Sequence, residues 1–202
     1  RHDLYLDHPD NNKIKGLSYR SGICDKGRRV SVVEAFAIFS TVSTAAHELG
    51  HNLGADHDGE DSATSCDPDD LFIMTHKETE FSRGQPYSRN PWMFSNCSVD
   101  AFKKTLKDKN CLSNKGSFFD INEWTLFTMK PTGEEYTADK HCELIYGPKC
   151  SHCGPKSAEI CLYMQCKDPE TKACLPKHHI AARGTKCGVN MWCIEGMCVP
   201  KA

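Results

Sequence analysis

Residues 47–58 read His47-Glu48-Leu49-Gly50-His51-Asn52-Leu53-Gly54-Ala55-Asp56-His57-Asp58, and the three histidines are spaced to share one metal ion. On a helix, His47 and His51 stand one turn apart on the same face, with Glu48 projecting beside them. Gly54, lacking a Cβ, lets the helix stop and the chain turn, so that His57 can swing back as a third nitrogen donor. Three neutral imidazoles leave a zinc ion its full double charge and one position for water, the arrangement of a catalytic site and not of a closed structural one. Water held in this way has a pKa of about 7, and Glu48 can take its proton as it attacks a carbonyl. Five such fixed positions arise by chance on the order of once in ten thousand chains of this length, which argues against a helix that merely carries surface histidines. The other histidines, His2, His8, His76, His141, His152, His178 and His179, have no ligand spacing and read as solvated or packed side chains.

Several elements must position this group. Val42, Ala46, Leu49 and Leu53 form one stripe of an amphipathic helix, with Ser40 or Thr41 as its N-cap and Gly54 as its stop. Ahead of it, Arg28 to Val33 has the alternating, β-branched character of a short strand, and Gly16 to Cys24 also reads as extended. A second helix is expected from Val99 to about Lys107, capped by Ser98, with Val99, Phe102 and Leu106 facing inward. Ser113 to Lys140 holds Gly116, Pro131, Thr132 and Gly133 and reads as a linker that packs back through Phe118, Phe119, Trp124 and Phe127. Beyond Cys142 the spacing of Pro, Gly and Cys leaves little room for regular structure, so turns held by bridges are expected.

The chain has 202 residues, 25 Lys+Arg against 27 Asp+Glu, and a formal charge of −2. A balance so close to neutral, without a basic stripe, gives no electrostatic reason to expect nucleic acid or an anionic membrane as partner. The longest wholly apolar run, Ala35 to Phe39, is far short of the roughly 20 residues that cross a bilayer. No basic-then-apolar leader starts at Arg1, so any secretory signal is expected to have been removed or to lie outside this chain. Of 13 cysteines, nine crowd into the last 61 residues, a density that points to a disulfide scaffold and an oxidising, extracellular compartment. A zinc-ribbon array fits less well, because only Cys150 and Cys153 form a CxxC pair. Asn96-Cys97-Ser98 is a glycosylation sequon at Asn96 and agrees with secretion.

The HExxHxxGxxH run resembles the signature of the metzincin zinc endopeptidases, and Asp58 after it resembles the reprolysin (adamalysin) branch. Ile73-Met74-Thr75 lies 17 residues past His57, and Met74 looks like the Met-turn residue beneath the zinc. Gly16 to Asp25 resembles the edge strand and its exit, while Phe94 to Ser98 and Cys111 to Asn114 resemble the closing helix and the end of the domain. By this resemblance Cys24 pairs with Cys111 and Cys66 with Cys97. The Cys111 carbonyl and Asn114 would sit at a calcium site whose other ligands lie before Arg1. Gly133 to Pro148, Gly184 to Gly188 and Trp192 to Val199 resemble the entry and exit of the disintegrin-like module of ADAMTS proteases. That likeness implies bridges Cys142–Cys166, Cys153–Cys174, Cys161–Cys193 and Cys187–Cys198, one of the 105 pairings that eight cysteines permit. Cys150 is left over, either as a free thiol or bonded to another chain. Reprolysin domains place many more residues before the zinc helix than the 46 found here, so the first strands and helix of that fold are expected to be missing.

The expected architecture is therefore an α+β metzincin-type catalytic domain, truncated at its N-terminus, over residues 1–115. A linker follows at 116–140, and a small disulfide-rich, loop-dominated module at 141–202. The implied activity is that of a secreted zinc endopeptidase acting on a matrix or plasma protein. Its substrate would add as a strand beside Gly16, Leu17 and Ser18, and the segment after Met74, through Lys77, Glu78, Glu80 and Phe81, would wall the pocket just past the cut. Two competing readings are a binding protein working through its cysteine-rich module, without an Arg-Gly-Asp to mark an integrin ligand, and a thermolysin-type peptidase with a downstream glutamate as third ligand. The intact ligand trio with Glu48 argues against the first, and His57 against the second.

Overall fold

The computed structural model describes residues 14–35, 38–77, 88–113, 131–154 and 157–201. The chain divides into two compact units, one of residues 1–35, 41–79 and 90–115, the other of residues 36–40, 80–89 and 116–202.

In the first unit, strands β1 (Gly16–Ser18) and β2 (Ser31–Val33) pair antiparallel in the register Gly16 to Val33, Leu17 to Val32 and Ser18 to Ser31. No third strand joins this pair among the described residues. The extended stretch expected through Cys24 is shorter than that, because the chain breaks into turns from Arg20 and folds back onto the end of helix α1 (Ile38–Asn52). The Ser21 and Ile23 amides donate to the carbonyls of His51 and Asn52, at 2.9 and 3.1 Å. Helix α1 starts ahead of the expected caps, so Ser40 and Thr41 lie inside it. Its stripe is also not buried as expected: Val42 and Leu49 are 62% and 48% exposed, while Glu48, Gly50 and Asn52 are buried. The helix turns the face of Glu48, Gly50 and Asn52 inward, because Gly50 is packed against Met74 and Phe94 and Asn52 is hydrogen-bonded to the β1 exit.

The helix ends as a Schellman motif. The Gly54 amide donates to the His51 carbonyl at 2.8 Å, the Ala55 amide donates to the Gly50 carbonyl at 3.0 Å, and Gly54 takes a φ of +108°. A side chain at Gly54 would also collide with Thr105 of helix α2 (Asn96–Leu106). The cap of α2 is Ser95, whose Oγ accepts the Ser98 amide at 3.2 Å, and not Ser98, which lies within the first turn. Val99 consequently points outward, 37% exposed, while Phe102 meets Phe94 edge to face at 4.9 Å. Bridges Cys24–Cys111 and Cys66–Cys97 close this unit.

The second unit is more regular than turns held by bridges. It contains α3 (Thr132–Glu135), α4 (Ala138–Tyr146) and two three-stranded antiparallel sheets. One sheet is β3 (Ser151–Cys153), β4 (Met164–Lys167) and β5 (Cys174–His179), and the other is β6 (Lys186–Gly188), β7 (Met191–Ile194) and β8 (Met197–Pro200). Strands of three to six residues carry too few alternations to register as periodicity, and here cystines hold them in place. The bridges are Cys142–Cys166, Cys153–Cys174, Cys161–Cys193 and Cys187–Cys198, which coincide with the pairs the resemblance implies. Three of them, Cys142–Cys166, Cys161–Cys193 and Cys187–Cys198, pack with Ile160, Met164 and Ala181 as the core, while Cys174 of the fourth is exposed. Residues 131–140, expected in the linker, are largely helical and packed: the Gly133 amide donates to the Arg183 carbonyl at 2.7 Å, and Ala138 belongs to the core. The aromatic residues Phe118, Phe119, Trp124 and Phe127, together with Glu78, Glu80, Phe81, Asn114, His2 and His8, lie outside the described residues.

Candidate metal centre

Helix α1 presents His47 and His51 on one face, and the Schellman turn at Gly54 returns the chain so that His57 meets both. The Nε2 of His57 lies 3.1 Å from that of His51 and 3.2 Å from that of His47. Tetrahedral zinc with bonds of about 2.0–2.1 Å sets its nitrogen ligands roughly 3.3 Å apart, so the trio is closed to nearly that spacing.

The other ring nitrogens explain why these contacts suit a cation. His47 Nδ1 faces the Ile73 carbonyl and His51 Nδ1 the Ala55 carbonyl, both at 2.8 Å, while His57 Nδ1 faces Glu60 Oε2 at 3.1 Å. Those oxygens only accept, so each Nδ1 carries the proton and each Nε2 presents a lone pair. Three lone pairs aimed at one point repel one another unless a positive ion sits between them. Burial favours the same state. It holds the His47 imidazole down at about 4, with His51 and His57 acting in the same direction, and it also lowers His51.

Glu48 is 5% exposed, and burial pushes its carboxyl up to about 7. Strand β1 passes directly over it: a Cβ at Gly16 would lie 2.6 Å from Glu48 Oε1 and 2.6 Å from its Cγ. Met74 is fully buried, and a side chain at Gly50 would run into its sulfur and stand 3.0 Å from Phe94 Cε1. Asp58 is buried too. Its amide donates to the Met74 carbonyl at 3.0 Å, and its Oδ1 accepts the Ser95 hydroxyl at 2.6 Å, which ties the third histidine's loop to the Met74 turn and to the cap of α2.

Gly16 and Ser18 are half-buried on β1, and Leu17 between them is 54% exposed. Asn96 is exposed on the first turn of α2. Cys150 is unpaired and 2% exposed; its thiol donates to the Lys167 carbonyl at 2.9 Å, and burial pushes its pKa up, the properties of an inert structural cysteine. Sequence reasoning missed Gly50, Asn52 and Glu60. Gly50 left a signal, a glycine in a helix interior, which costs about 1 kcal/mol against alanine and so asks for a packing reason. Asn52 and Glu60 left none.

Two family models match the chain. Residues 3–116 match "Reprolysin (M12B) family zinc metalloprotease", and residues 132–199 match "ADAMTS cysteine-rich domain 2". Among similar proteins, human "A disintegrin and metalloproteinase with thrombospondin motifs 19" is 33% identical over 190 residues, 92% of this chain and 15% of that protein. Its human namesake numbered 20 is 34% identical over 194 residues, 92% of this chain and 9% of the relative. The Rattus norvegicus protein numbered 7 is 32% identical over 199 residues, 97% and 11% respectively. The chain therefore spans only a small part of the length of these relatives. With more than half of its residues inside the first match and a cysteine-rich module after it, the chain belongs to the reprolysin (M12B) family of zinc metalloproteases, in an ADAMTS-like arrangement.

Proposed function

We propose that this chain carries the catalytic centre of a secreted zinc endopeptidase that hydrolyses peptide bonds of extracellular matrix or plasma proteins. The observation that carries the reading is the convergence of three Nε2 lone pairs within 3.1–3.2 Å contacts, with all three Nδ1 protons committed elsewhere. In it His47, His51 and His57 hold the ion, Met74 supports them from below, and Glu48 is the general base. Bound zinc supplies a Lewis acid and brings water into the range where a carboxylate deprotonates it.

The chain's own groups do the rest. Glu48, kept dry beneath Gly16, accepts the proton of the attacking water and returns it to the leaving amine. Gly16, Leu17 and Ser18 offer a strand edge along which an extended peptide adds by main-chain hydrogen bonds, and the exposed Leu17 would meet its side chains. Residues 1–115 would form the protease part and the cystine-rich module an accessory binding part. Six disulfides support an oxidising destination, and Asn96 would carry the glycan. Among the described residues no helix is long and apolar enough to cross a membrane.

The test is Glu48→Ala measured two ways. Zinc content by mass spectrometry should stay at one per chain, while casein cleavage falls by about 10²–10⁴-fold, the usual weight of a general base. Chelation of the parent protein should stop cleavage as well. Wild-type cleavage by Glu48→Ala would overturn the mechanism.

A further inference from the structure

The three histidines are not oriented alike. His47 and His51 are helical, and their Nδ1 protons go to backbone carbonyls, of Ile73 and Ala55, that no substitution removes. His57 stands on a loop, and its Nδ1 proton goes to a side chain, Glu60 Oε2, at 3.1 Å. The run His57-Asp58-Gly59-Glu60 builds that contact. The Glu60 amide donates to the His57 carbonyl at 3.0 Å, which closes a four-residue turn, and Gly59 takes a φ of +87° at the third position, the left-handed conformation that glycine supplies there. A Cβ at Gly59 would also come within 2.9 Å of Pro68 Cδ. The turn therefore brings the Glu60 carboxylate back over the ring three residues before it. The second carboxylate oxygen, Oε1, lies 3.5 Å from Nδ1 of His76, two residues beyond Met74, and the rings of His57 and His76 are 6.0 Å apart.

We infer that Glu60 is the positioning residue of the third metal ligand: its carboxylate fixes the ring plane and tautomer of His57 and strengthens Nε2 as a donor, completing a carboxylate–histidine–metal relay. The inference rests on the protease reading of the same centre. Glu60 is about half exposed, 51%, so its ion pairing in solvent is weak in itself. Its effect comes from holding a ring that has no other acceptor at Nδ1 among the described residues and stands on a loop. Partners of this kind change metal affinity by about 10–100-fold when removed. His76 steadies the carboxylate from the far side and is not itself required.

The experiment measures zinc dissociation constants by competition with a chromophoric chelator for the parent chain, Glu60→Ala, Glu60→Gln and His76→Ala, with thermal unfolding of the zinc-free forms as a fold control. Glu60→Ala should bind zinc about 10–100-fold more weakly. Glu60→Gln, whose amide oxygen still accepts from His57, should lose less, and His76→Ala should stay within about threefold of the parent. Unfolding midpoints of the zinc-free forms should be unchanged. Zinc affinity of Glu60→Ala within twofold of the parent overturns the inference, as does an equal loss in Glu60→Gln and Glu60→Ala, or a loss in His76→Ala as large as in Glu60→Ala. Failure of the parent itself to take up zinc overturns the protease reading instead, and is told apart because all four proteins then behave alike.

Discussion

A methyl group at position 16 would stand 2.6 Å from the carboxylate oxygen of Glu48, closer than non-bonded atoms approach one another, so the glycine there leaves space for Glu48, the proposed general base. Gly16→Val should push Glu48 aside while leaving the three imidazoles in place. Cleavage is expected to fall on the order of 10²-fold at unchanged zinc content, read from kcat/KM and mass spectrometry on one preparation. Residue identity in the signature was legible at this scale, because helical spacing alone sets His47 and His51 on one face. The partners of the ligand rings were not. The Ile73 carbonyl reaches His47 from 26 residues away, and any residue type would supply it.

Between elements, Asn52 joins the metal helix to the strand beside it. Its Nδ2 donates to the carbonyls of Tyr19 and Arg28 at 3.0 and 2.8 Å and to Ser18 Oγ at 3.2 Å, and the residue is 2% exposed. Asn52→Ala removes the amide that donates to the Tyr19 and Arg28 carbonyls, both on exposed residues, and should lower stability by about 1–3 kcal/mol. It should also raise KM for a peptide substrate several-fold while zinc content holds, since β1 and not the ligand trio loses its anchor; thermal unfolding and steady-state kinetics read the two effects. Element types were readable where an element is long. Helix α1 was expected and is present, but the stripe of Val42 and Leu49 that announced it stays exposed, because tertiary contacts of Gly50 and Asn52 turned the other face inward. The start of α2 lies about one turn ahead of the expected Ser98 cap, at Ser95, whose hydroxyl also reaches Asp58, a contact across 37 residues.

At the scale of the whole molecule each unit has its own cystines among the described residues, two between residues 24 and 111 and four between 142 and 198. The second unit carries its own sensitivity to acid. Burial holds both His141 and His179 down at about 4, and His141, 1% exposed, has neither ring nitrogen paired among the described residues. Both are neutral when folded, but protonate near 6.5 when unfolded. The unfolded chain therefore binds more protons in this window, and stability present above pH 6.5 is lost as the pH falls toward 4. For His141 the slope approaches about 1 kcal/mol per pH unit. His141→Leu should flatten the fall in unfolding midpoint between pH 6.5 and 4, followed by calorimetry across that range. The short strands of this unit were invisible in the sequence, since runs of three to six residues hold too few alternations to stand out.

What the sequence determined by itself was carried at short range: the grouping of His47, His51 and Glu48 on one stretch of helix, because a helix repeats its faces every few residues whatever surrounds it, and the disulfide-rich character that crowded cysteines imply. What only the tertiary structure decided was how those side chains are aimed. The acceptors behind His47, His51 and His57, the glycine that clears Glu48, and the helix face that is buried all depend on atoms brought together by the path of the chain, and no local pattern encodes that path.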